Sequence, residues 1–159
     1  MIKLLHGLNM IKIYVDGSYK PSTNCGGYAV VITHNDLVIK VLHEGFKNTT
    51  NNRMEIMAVL EALKYFKTPL EFDIYSDSAY VVNSINEGHL SRWVKENDTT
   101  KKNMDLWKEV YRLINKHRVT FFWVKGHHEN EFNNLADLYA NNSAMILNPK
   151  IDLQNDYQD

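Results

Sequence analysis

Four acidic residues, widely separated along the chain, carry the chemistry this sequence can be read for. They are Asp16 in YVDGS, Glu55 in TTNNRMEIM, Asp77 in IYSDSAY and Asp137 in NNLADLYA. Carboxylates offer only oxygen. Gathered within a few ångströms they repel one another, and hard divalent cations relieve that repulsion; oxygen-only ligation selects Mg2+ or Mn2+ over zinc. Each acid also has a purely structural reading. Asp16 and Gly17 form a common turn signal. Asn52 and Glu55 have the spacing of a capping box. Asp77 precedes a helix, as an N-cap does. Asp137, near the start of the last helix, would be favoured there by the macrodipole.

The conjunction of the four points to a site. Asp16 and Asp77 fall at strand ends, on the polar side of the alternation, and sites in open sheets form beyond the carboxyl ends of strands. Glu55 lies beside Val59 and Phe66 at the edge of an apolar arc, where a partly desolvated carboxylate needs a cation.

The elements that must position these groups can be read from periodicity. IKIYVD (11–16) alternates as a strand. GSYKPSTNCGG has the composition of a loop. YAVVITH (28–34) and LVIKVLHEG (37–45) flank Asn35 and Asp36 and read as a hairpin. A helix is expected over 52–67, with Ile56, Val59, Leu60, Leu63 and Phe66 on one arc. LEFDIYSD (70–77) is a strand, and the next segment a short helix closed by Gly88. Residues 89–102 read as helix then loop, 103–117 as a helix, 119–124 as a strand and 134–147 as a final helix. The order βββ-α-β-α-α-β-α implies a mixed sheet flanked by helices, an α/β arrangement.

Composition sets outer bounds. The chain has 159 residues, 44% hydrophobic and 23% charged, with a net charge of −1. That suits one domain and argues against a protein that merely coats nucleic acid with a basic face. No apolar run approaches the ~20 residues of a membrane span. MIKLLHGLNM lacks a small-residue cleavage site, so no secretion signal is expected. The single cysteine, Cys25, allows no internal disulfide and fits a cytoplasmic location. A monomer is the default expectation. The expected boundaries are an N-terminal extension (1–9), a folded domain (10–147) and a polar, frayed tail (148–159).

YVDGS, GGYAVVI, TTNNRMEIMAVLEAL, IYSDSAYVVNSI, NMDLW, WVKGH and NNLADLYA occur in one order over residues 10–145. In this the sequence resembles the ribonuclease H family, type 1, the bacterial branch. The resemblance implies a ribonuclease H-like fold with a five-stranded mixed sheet, three antiparallel strands followed by two parallel ones. It makes residues 10–147 a catalytic domain that cleaves the RNA strand of RNA–DNA hybrids and leaves 5′-phosphate and 3′-hydroxyl ends. It implies two Mg2+ ions (or Mn2+) held by Asp16, Glu55, Asp77 and Asp137, with Asp16 bridging both. His127 of VKGH becomes a catalytic histidine linked to proton handling or product release; a solvated loop histidine is the alternative, and His128 beside it reads as surface. Asn51 and Asn52 correspond to a pair that reaches the minor groove of the hybrid, Thr50 to a threonine that holds a DNA phosphate, and Gly17 and Ser18 to substrate contacts.

The sequence departs from the family pattern in three places. Residues 21–24 are PSTN, with Ser22 where an asparagine is expected; Ala79 replaces a glutamine; and Asn134 replaces an acid in the last motif. The basic protrusion expected within 88–103 is thin. Residues 92–108 hold five basic side chains against three acidic ones, which predicts weak hybrid binding with a shallow salt dependence. Trp93 there is either a stacking residue for the DNA backbone or part of the core. Two other readings are a non-catalytic nucleic-acid-binding module and a metal nuclease for another substrate, such as a DNA junction. Four acids in a pure binder would only repel its ligand, and the asparagine pair and WVKGH argue against a junction cutter.

Overall fold

The structure is a computed structural model that describes residues 10–125 and 130–152. Its strands are β1 (Ile11–Lys20), β2 (Cys25–His34), β3 (Leu37–Lys47), β4 (Glu71–Ser76), β5 (Arg118–Trp123) and β6 (Lys150–Ile151). Its helices are α1 (Asn51–Tyr65), α2 (Ala79–Asn86), α3 (His89–Lys95), α4 (Met104–Ile114) and α5 (Glu131–Ser143). One mixed sheet runs β5-β4-β1-β2-β3-β6. The first three strands are antiparallel, and β4 and β5 lie parallel to β1 and to each other.

Alternation along the central strands builds two cores. Ile13, Val15, Val30 and Ile32 face α1, against which α4 packs, and join Ile56, Val59, Leu63, Trp107 and Val110 in the larger cluster. Tyr14 and Val31 point the other way and pack with Ala136 of α5. This is the period-2 strand pattern meeting the 3.6-residue pattern of the helices.

The structure corrects the sequence reading in several places. The strand containing Asp16 does not end there. β1 runs on to Lys20, with Asp16 paired to Ala29 and Gly17 to Tyr28, so 16–17 is no turn and only residues 21–24 connect the first two strands. The ladder uses the backbone groups that a turn would have used. The sheet has a sixth strand: Lys150 and Ile151 of the expected frayed tail pair with Phe46 and Lys47. Trp93 is 9% exposed, its ring edge-on to Trp107 at 6.2 Å. It belongs to the core. Gly88, at φ +79°, separates α2 from α3 in the left-handed conformation that glycine adopts without a Cβ penalty.

Candidate metal-binding site

The site follows from register. In the parallel β1–β4 pair Val15 stands opposite Ser76. One residue further along the two strands come Asp16 and Asp77, side by side at the carboxyl edge. Asp77 is held there from two directions. Its backbone carbonyl accepts from Trp123 Nε1 at 3.1 Å, and Ser78, the next residue, caps α2 through its hydroxyl on Val81 N. Asp77 is therefore not the N-cap; the serine beside it is, which leaves the carboxylate for other work.

Glu55 reaches the same place from α1. Thr50 caps this helix, its Oγ1 accepting from Arg53 N at 3.2 Å. The expected capping box between Asn52 and Glu55 does not form. Glu55 is instead 6% exposed, over the point where β1 carries Gly17. A Cβ on Gly17 would lie 2.5 Å from Glu55 N and 2.7 Å from Met54 C. The bare glycine is what lets the helix backbone come down on the strand.

One oxygen from each of Asp16, Glu55 and Asp77 lies within 4.8 Å of the others. Asp137, on α5, approaches Asp16 from the opposite face of the sheet, near enough for its carboxyl to act on that of Asp16. Burial, the Asp77 charge and the Asp137 carboxyl push the Asp16 carboxyl up to about 9, opposed by the Gly17 amide, which donates to Asp16 Oδ1 at 2.9 Å. Burial, then Asp16 and Asp77, raise Glu55 as well. Both acids are thus held where ionisation is costly unless a cation arrives.

Two observations show that the donor set fits such a cation. Among the described residues, Glu55 Oε2 is buried without any hydrogen-bond partner, an expensive state for a carboxylate oxygen. The converging ligands are all carboxylate oxygens, as hard ions require.

The other expected residues are placed as follows. Asn51 and Asn52 are exposed at the head of α1, beside the capping Thr50. Ser18 is buried and donates to Asn141 Oδ1 at 2.6 Å. His127 and His128 lie outside the described residues. Arg53 went unremarked in the sequence reading, yet it is fully buried and ion-paired to Asp105 and Asp152. Its signal was position: it precedes Ile56 by three residues and Leu60 by seven, on the apolar arc, where an arginine must have partners.

Comparison with known proteins agrees with this geometry. Residues 9–145 match the family model described as RNase H. A ribonuclease H of Thermoanaerobacter sp. (strain X514) is 41% identical over 141 residues, covering 85% of this chain and 90% of that protein. One of Chlorobium phaeobacteroides (strain BS1) is 44% identical over 135 residues, covering 82% and 92%. Among solved structures, a type 1 RNase H with a type 2 active-site motif superposes with a TM-score of 0.76 at 25% identity, over 86% of this chain and 72% of that one. The protease–reverse transcriptase of prototype foamy virus shares the fold, with a TM-score of 0.73 at 23% identity, over 88% of this chain and 21% of that one. A nuclease fold carrying buried acids at one sheet edge, with relatives of one name along most of its length, leaves one assignment: this chain belongs to the ribonuclease H family, in its bacterial-like form, and is a hydrolase.

Proposed function

We propose that the protein is an endoribonuclease that cuts the RNA strand of RNA–DNA hybrids and leaves 5′-phosphate and 3′-hydroxyl ends. The observation that carries this reading is the cluster of Asp16, Glu55 and Asp77, within 4.8 Å and with one buried Glu55 oxygen lacking any partner among the described residues. Asp16, Glu55, Asp77 and Asp137 would hold two divalent ions, Mg2+ or Mn2+. Such ions, when bound, supply a water of lowered pKa and offset the charge that grows on the leaving oxygen.

The chain's own residues do the rest. Asp16 is the shared member, interacting with Glu55 and Asp77 on one side and Asp137 on the other. Gly17 holds Asp16 through its amide and admits Glu55 through its missing side chain. Ser78 caps α2, and Trp123 fixes the Asp77 backbone, so neither duty falls to the Asp77 carboxylate. Thr50, Asn51 and Asn52, at the N-terminus of α1, offer polar groups where a helix favours anions. Contact with the ribose 2′-hydroxyl is what would separate the cut strand from DNA. All four acids come from one chain, so a monomer carries a complete site.

The test is incubation of labelled RNA–DNA hybrid, RNA duplex and DNA duplex with and without Mg2+. Cutting confined to the hybrid, dependent on Mg2+ and lost in Asp16→Asn, is the expected result. Binding of the hybrid without cutting in Mg2+ or Mn2+ would replace the enzyme with a binding module.

A further inference from the structure

Strand alternation places Asp16, Ser18 and Lys20 on one face of β1, the face that packs against α5. On α5, Asp137 and Asn141 are one turn apart and share a side of the helix. The two rows meet in register. Asp16 and Asp137 interact through their carboxyls. Further along, Ser18 Oγ donates to Asn141 Oδ1 at 2.6 Å, and Lys20 Nζ donates to the same oxygen at 3.4 Å. The ribbon thus starts at the acid cluster and ends at a cation.

That cation is incompletely satisfied. An ammonium has three donors, and among the described residues Lys20 meets the neutral oxygen of Asn141 and makes no ion pair. Both contacts to Asn141 use its amide oxygen, so neither engages its NH2 group. A lysine ammonium beside an amide NH2 is a donor set for phosphate oxygens. Ser18, 8% exposed, anchors the arrangement from below. Four residues of strand separate Asp16 from Lys20, about 13 Å between Cα atoms, so the phosphate held cannot be the one at the acids.

We propose that Lys20 and Asn141 form a phosphate subsite for the nucleic-acid backbone, holding the cut strand at a phosphate neighbouring the scissile one. The proposal rests on the ribonuclease reading for the identity of that strand. It adds a contact that the family resemblance did not supply. Lys20 brings a positive charge to the face of β1 that carries Asp16, and the thin basic protrusion makes one such cation count for more.

The test uses the full chain and a hybrid duplex. Lys20→Met keeps the stem and removes the charge. KM for the hybrid should rise about fivefold, with a smaller change in kcat, and log(kcat/KM) against log[salt] should flatten by about one unit, the loss of one phosphate contact. Lys20→Arg should restore the slope. Asn141→Ala should raise KM while leaving the slope steeper than that of Lys20→Met. A wild-type slope and KM in Lys20→Met would overturn the proposal. If the wild-type protein cuts no hybrid, the preceding reading fails by itself. The same slope comparison, made by fluorescence anisotropy on uncut hybrid, still decides Lys20, because the phosphates remain.

Discussion

Arg53 and Asp152 form a buried ion pair that ties the end of the described chain to the head of α1. Arg53 Nε donates to Asp152 Oδ2 at 2.7 Å and Nη2 to Oδ1 at 3.2 Å; the side chains are 0% and 5% exposed. Asp105 takes the other edge of the guanidinium, Nη2 to Oδ2 at 2.7 Å and Nη1 to Oδ1 at 3.0 Å, and Thr49 Oγ1 donates to Asp152 at 2.9 Å. Asp152 comes after β6, beyond residue 145 where the family match stops. Removing one member of a buried pair strands the other charge, which costs about 3–5 kcal/mol. Asp152→Ala should lose stability of that order in urea unfolding. A loss below about 1 kcal/mol would show that Asp105 alone satisfies the arginine.

Gly17 is where β1 and α1 touch. A methyl group there meets backbone atoms of Met54 and Glu55, which cannot turn aside as a side chain can. Gly17→Ala should cost roughly 1–3 kcal/mol by overpacking and should shift Glu55 away from Asp16. Unfolding midpoints and hybrid cleavage should both fall; an unchanged midpoint would mean the helix can retreat freely.

Thr50 and Glu55 separate capping from chemistry. Thr50→Ala removes the cap of α1 and should cost about 1 kcal/mol. Glu55→Gln removes a buried carboxylate that caps nothing, so it should abolish cleavage without that loss of stability. A Glu55→Gln protein that is destabilised yet still cuts would return the residue to a capping role.

The raised acids make stability depend on pH in a definite direction. Asp16 ionises near its ordinary 3.8 when unfolded and at about 9 when folded without metal. Between these values the unfolded chain releases a proton that the folded chain keeps, so this group's contribution to stability is full below about 4 and is lost as pH rises toward 9. Glu55 acts in the same direction. The metal-free protein should melt at lower temperature at pH 8 than at pH 5.5, Mg2+ should raise the melting temperature more at the higher pH, and Asp16→Asn should flatten the profile. Stability that rises over this interval in metal-free buffer and in Asp16→Asn alike would assign the dependence to other groups.

The thin protrusion sets the salt response. Of the charged groups in 92–108, Asp105 is tied to Arg53, and Lys101 lies over the Trp93 ring at 5.3 Å. The slope of log affinity against log salt for hybrid should be shallower than about −5. Measurement by anisotropy over a range of salt concentrations checks this, and a steeper slope would require basic contacts outside this segment.

The places where sequence reading went astray share one cause. Asp16–Gly17 carries a real turn signal, but Ala29 and Tyr28 across the ladder take up the backbone groups. Asn52 and Asp77 are sound caps by type; Thr50 and Ser78 win because the chain enters each helix earlier or later by a residue or two. Residues 150–152 look like polar tail until Phe46, Lys47, Thr49 and Arg53 are placed beside them. Trp93 suits core or contact by residue type alone, and the ring of Trp107 beside it shows its packing in the core.

By itself the sequence determined where the first five strands and the longer helices fall, but not the short β6, because periodicity is written within a few neighbouring residues. It also determined the family, because seven motifs recur in one order. Tertiary structure decided which local signals are used, that Asp16, Glu55 and Asp77 converge, and what balances Arg53. The convergence of the acids and the balancing of Arg53 depend on groups 22 (Glu55 and Asp77) to 99 (Arg53 and Asp152) residues apart, and the energy of a buried charge is set by its neighbours in space, which spacing along the chain does not specify.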